Sequence, residues 1–198
     1  DRGVRMANFG YLGHMWELYA FWAWISLFLT ESFRRAGLGN ASTVASLATF
    51  VVIGIGGLGS LLAGRLADQW GRSRTTMLSL AISGTCAVSI GFLFGGSPIL
   101  VSGIALIWGF AVVADSAQFS TAVSELSERT YMGTALTMQT SLGFLLTLGS
   151  IWLIPVLVEQ VGWEWAFAVL GLGPIFGIWA MWRLKRSPEA VKLASGRG

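Results

Sequence analysis

Apolar residues in this chain neither alternate nor form a one-sided stripe. They come in six nearly unbroken runs, about 8–29, 41–64, 75–95, 98–121, 133–157 and 164–184, parted by short polar stretches. Each run holds roughly 21 to 25 residues, which as a helix rising about 1.5 Å per residue covers a hydrocarbon core of about 30 Å. Helices of a water-soluble bundle turn a polar face to solvent every turn, and none of the six does. Spanning β-strands are shorter and alternate, and irregular backbone facing lipid is not tolerated. The pattern predicts an all-α integral membrane domain of six transmembrane helices over residues 1–186. A basic tail without fixed structure follows at 187–198.

Composition strengthens this picture. Hydrophobic residues make up 54% of the chain and charged residues only 12%, too few to coat a soluble domain. Ten Trp and twelve Phe fit the aromatic enrichment of membrane interfaces. Arg2 and Arg5 precede a full-length run that contains Glu17 and ends in no small-residue cleavage pattern, so the first run reads as a structural helix and not as a signal peptide. The start at Asp1, with no Met, points to a processed product or a piece of something longer. The lone cysteine, Cys86, excludes an internal disulfide and reads as a small packing residue.

Charge sets the orientation. Arg2, Arg5, Arg65, Arg72, Arg74, Arg129, Arg183, Lys185, Arg186, Lys192 and Arg197 fall on one side of the six runs, and only Arg34 and Arg35 on the other. The positive-inside rule therefore predicts a multi-pass protein of an inner or plasma membrane with both termini cytoplasmic. Contact with anionic lipid accounts for the net charge of +3, and no nucleic-acid partner is needed.

The most polar interruption, Gly64 to Arg74 ("GRLADQWGRSR"), falls between the second and third runs. Gly64 closes a row with Gly56 and Ser60 at four-residue spacing, suited to close helix approach. Asp68 is placed to cap the third helix, and Gly71 suits a turn with positive φ. The stretch resembles the signature loop of the major facilitator superfamily, Gly-x-x-x-Asp-(Arg/Lys)-x-Gly-Arg-(Arg/Lys): Gly64, Asp68, Gly71 and Arg72 match, Gln69 and Ser73 replace the two less strict basic positions, and Arg74 stands one residue late. "GWEWAF", Gly162 to Phe167, is similar to the Gly-Trp-x-x-x-Phe entry of the last helix in such a half, with Glu164 at a commonly basic position.

The resemblance implies one half of a twelve-helix transporter, made of two inverted three-helix repeats, and most closely the C-terminal half. A second half would then be a missing partner. It also implies that the first and fourth helices line a central cavity. It further implies that Arg72 pairs with Glu125 or Glu128 and that Asp68 faces Gly133, together forming a latch on the cytoplasmic side, a gating loop in which Arg74 is included.

Ionisable residues inside the runs are few, and such residues are functional candidates by default. His14 and Glu17 share a helix face, with Trp16, Tyr19 and Trp22 as an aromatic wall, and Glu17 lies about 14 Å deep. Two readings stand side by side: a substrate or proton site near the midplane, and a structural pair satisfying each other or a neighbouring helix. Asp115 and Gln118 share a face about 5 to 9 Å from the cytoplasmic end of the fourth helix, level with Gln139 in the fifth. These three read as an inner polar gate or as interhelical hydrogen bonding.

No His-Glu-x-x-His, cysteine pair, phosphate-binding glycine loop or buried nucleophile with a base argues for an enzyme, a cofactor or a metal. The expected function is movement of a small solute by alternating access, coupled to protons. A non-transporting receptor or channel on the same scaffold is the alternative, and an intramembrane enzyme a further one.

Overall fold

The computed structural model describes residues 1–197, and no strand occurs among them. The helices are α1 (Arg2–Arg35), α2 (Ala41–Trp70), α3 (Arg72–Ser89), α4 (Pro98–Ala114), α5 (Ser116–Leu126), α6 (Met132–Val161), α7 (Trp163–Ala166) and α8 (Leu172–Lys185). A 3₁₀ turn, Ile90–Leu93, extends α3; another, Phe167–Gly171, joins α7 to α8; and a third covers Pro188–Ser195. Each apolar run thus lies within one helical stretch, but the fourth is divided at Asp115 and the sixth at Phe167–Gly171.

Five stretches are long and apolar enough to cross a membrane: Ala41–Trp70, Arg72–Leu93, Pro98–Leu126, Met132–Val161 and Trp163–Lys185. α1 has 34 residues and the length to cross. His14, Glu17 and its tyrosines and tryptophans lower its hydropathy, so composition alone does not place it with the other five. It is the hub of the bundle, packed against α8, α6, α2 and α5.

Local chemistry explains the element ends. The Asp1 carboxylate caps α1, accepting from the amides of Gly3 at 2.7 Å and Val4 at 3.2 Å, and Pro98 opens α4, where its missing N–H costs nothing. Two joints are a single residue long. Gly71 (φ 97°) separates α2 from α3, and Gly162 (φ 76°) separates α6 from α7; each is left-handed, and each amide donates back to the carbonyl four residues earlier. The joints lie at opposite ends of the bundle.

Lipid is as apolar as leucine, so these helices are held by close packing. α2 meets α4 where a side chain on Gly56 would strike Val113, one on Gly59 the backbone of Phe110, and one on Gly109 the backbone of Val52. The row in contact is therefore Val52, Gly56, Gly59 and Ala63. The expected row through Ser60 and Gly64 is corrected accordingly, since Gly64 has nothing within 4 Å. Gly13 of α1 meets Gly173 and Gly177 of α8 in the same way.

Two buried clusters fill the bundle. One centres on Phe21, Phe28, Trp108 and Phe167, and the other on Met15, Phe119, Leu126 and Met181. Leu193, in the segment expected to lack structure, is fully buried in the second. The outer faces of α2 and α6, by contrast, are bare: Leu47, Phe50, Leu58, Leu61, Leu145 and Trp152 are all exposed.

Candidate functional site

Two polar centres are assembled around α1. In the first, the buried Glu17 carboxylate is turned toward α3 and α4: the Ser83 hydroxyl donates to Oε2 at 2.8 Å and the Trp108 indole N–H to Oε1 at 2.7 Å. Among the described residues no cation pairs with it. In the second, one turn away, buried His14 faces the break between α4 and α5. Its Nδ1 lies 2.9 Å from Oδ1 of Asp115, but off the hydrogen-bond axis, so both Asp115 oxygens remain buried without an aligned donor. The other imidazole nitrogen, Nε2, lies 3.0 Å from the Ser116 hydroxyl.

The break makes this geometry possible. α4 ends at Ala114, Asp115 adopts φ −92° and ψ −9°, and α5 restarts at Ser116, so two consecutive side chains reach the same imidazole.

A third centre sits at the end of the bundle rich in Lys and Arg. Arg72, the first residue of α3, grips Glu125 of α5 with two prongs, Nε at 2.9 Å and Nη2 at 2.8 Å, while Nη1 donates to Oε1 of Gln118 at 2.9 Å. Asp68 adds a looser contact at 3.5 Å. Planar two-pronged pairing of this kind is the strongest form of arginine–carboxylate contact.

His14 and Asp115 are thus brought together, and Gln118 joins Arg72 and Glu125. Tyr19 and Trp22 are half-buried and stack edge to face at 5.3 Å, with Phe144 completing the wall at 5.1 Å from Tyr19. Gln139 is buried with neither amide atom partnered. Glu128 and Arg74 are exposed. Glu128 lines a groove of about 360 Å³ with Asp1, Tyr131 and Lys192, away from the Arg72–Glu125 pair. Asp68 does not cap α3, because α2 continues past it to Trp70 and Gly71 is the residue before α3. Nothing approaches within 4 Å of a Cβ position at Gly133, Asp68 included.

Ser83, Trp108 and Ser116 escape sequence reasoning. Ser83 and Trp108 stand 66 and 91 residues from Glu17, and nothing in an apolar run marks which serine or tryptophan will meet it. Among the described residues no group of three His, Cys, Asp or Glu could hold a metal ion.

Residues 7–198 match the family model of the Major Facilitator Superfamily. The proline/betaine transporter of Escherichia coli (strain K12) is 29% identical over 195 residues, covering 89% of this chain and 39% of that protein. The glycine betaine/proline/ectoine/pipecolic acid transporter of Dickeya dadantii (strain 3937) is 27% identical with the same coverage. Among solved structures, the crystal structure of an auto-inhibited POT family peptide transporter shares the fold, with a TM-score of 0.77 at 17% identity, over 94% of this chain and 37% of that one. The chain therefore spans 39% of the length of these curated relatives.

Proposed function

The chain belongs to the major facilitator superfamily, and from that premise we propose that it is the C-terminal six-helix half of a secondary transporter that moves a small solute by alternating access with proton coupling. α1 is the sixth crossing, shielded from lipid by its neighbours, and both ends of the chain lie on the cytoplasmic side, a reading the eleven-to-two division of basic residues supports. The bare faces of α2 and α6 receive the other half. The Arg72–Glu125–Gln118 centre is the cytoplasmic latch.

One observation carries proton coupling: the Glu17 carboxylate is fully buried, held by two neutral donors and by no cation. An isolated charge in such a place is costly. A carboxyl group that exchanges its charge for a proton as water reaches it is what a proton-driven carrier needs. His14 and Asp115 form the relay beside it. Proline and betaine, named for the relatives, are zwitterions. A solute of that class fits a bundle whose Lys and Arg lie near the helix ends and whose interior carries two carboxylates, with the aromatic wall of Tyr19, Trp22 and Phe144 available to its cationic end.

The test is uptake of proline and glycine betaine into vesicles carrying the transporter to which this chain belongs. Glu17→Gln should abolish stimulation by a pH gradient while solute binding survives. Normal gradient-driven uptake by that variant would remove Glu17 from the mechanism.

A further inference from the structure

Residues 188–197 do not hang free. Leu193 is fully buried and belongs to the same apolar cluster as Ala7 of α1, Phe119 and Leu126 of α5 and Leu184 of α8. The amide of Ala194 donates to Oε2 of Glu125 at 3.0 Å, the same oxygen that accepts from Nε of Arg72. Arg197 donates to the carbonyl of Asp68 in the last turn of α2, one of the carbonyls a helix end leaves without a partner. Glu189 rests on Gly3 in the first turn of α1, its Cβ 3.1 Å from where a Cβ there would lie. The segment thus ties the cytoplasmic ends of α1, α2 and α5 to one another.

Holding this path strains the backbone. Ala194 (φ 45°) and Ser195 (φ 56°) are, among the described residues, the two non-glycine positions with positive φ, a conformation that L side chains disfavour. They directly follow the buried leucine, and Ala194 itself donates the shared hydrogen bond, so the contacts that seat the segment work against strain stored in it. A segment balanced in this way can leave its seat without unfolding the bundle, and its basic residues, Lys192 and Arg197, are exposed.

We propose that residues 188–197 are a cytoplasmic strap, anchored by Leu193, that holds Glu125 onto Arg72 when seated and frees the ends of α2 and α5 when it lifts. This rests on the latch assigned to Arg72 and Glu125 above. While the strap is seated, Glu125 accepts from both Arg72 and the Ala194 amide, and opening of the cytoplasmic face requires both to be released.

Amide hydrogen exchange of the 198-residue chain in lipid nanodiscs tests this without a transport assay. Leu193→Asp removes the anchor; Val191→Asp places the same charge on the strap at a position 70% exposed and serves as control. The strap predicts that Leu193→Asp speeds exchange about tenfold or more at 64–72 and 118–126, with 25–35 at the far end of α1 unchanged, while Val191→Asp leaves 64–72 and 118–126 protected. Faster exchange confined to 188–197, or equal effects of the two variants, overturns the proposal. Arg72→Gln tests the latch separately. If it leaves 64–72 and 118–126 protected, the latch assignment fails, whereas the strap is judged on Leu193→Asp alone.

Discussion

Trp108 holds two jobs that substitution can separate. Its ring lies 4.4 Å from Phe21 and 5.3 Å from Phe167, and its N–H is one of two donors to Glu17. Trp108→Phe keeps most of the packing and removes the donor. Leaving a buried acceptor short of a partner costs about 1–3 kcal/mol, a fall of roughly 2–4 °C in Tm per kcal/mol for a chain of this size. Trp108→Ala adds the loss of a large buried ring and should cost about 3–5 kcal/mol. Thermal unfolding in detergent reads both, and an unchanged Tm in Trp108→Phe would mean that the indole N–H contributes nothing. At this scale the sequence was half legible. Glu17, His14 and Asp115 announce themselves as ionisable groups in apolar runs, and Arg72 through its motif. Their partners do not, because a serine, a tryptophan or a backbone amide in a helical run has no signature until the helices are packed.

Helix pairs put the glycines to a sharper test than single residues do. Gly59 faces the backbone of Phe110 across the α2–α4 contact, whereas Gly57, two residues earlier, faces open space. Gly59→Leu should drive the two helices apart and prevent a folded bundle, read as loss of a monodisperse peak in size-exclusion chromatography. Gly57→Leu should be tolerated by the isolated chain and lose no stability, since leucine favours helix by about 1 kcal/mol over glycine. Gly71→Ala asks an alanine to hold φ 97° and should destabilise the α2–α3 joint by about 1–2 kcal/mol; an unchanged melting curve would show that the joint relaxes. Run lengths placed the helices well, because a hydrocarbon core sets them. The breaks were not legible: Asp115 interrupts its run with neither proline nor glycine, and Pro155 sits inside α6 without ending it.

Across the whole chain, the unpartnered surface is as informative as the buried one. Exposed leucines crowd the outer faces of α2 and α6, and Gly54, Gly57, Gly64, Gly133 and Gly149 on these two helices have nothing within 4 Å. Small residues at a bare face are what another helix needs for close approach. Nitroxide labels at Leu61 and Leu145 should be readily reached by lipid-dissolved oxygen in the isolated chain and shielded in the two-half transporter proposed above. Equal accessibility in both would place the second half elsewhere. That six runs belong to one bundle could be read from their number and length, but which helices touch could not, because every run is apolar on all sides and periodicity carries no face.

The two one-residue joints give the bundle a property neither has alone. A pair of tines welded at one end spreads only at the other. α2 and α3 are welded by Gly71 at the end that bears Arg72, so they part most easily at the opposite mouth. α6 and the α7–α8 stretch are welded by Gly162 at that opposite mouth, and part most easily where Arg72 lies. Under the alternating access proposed above, one fork would serve each aperture.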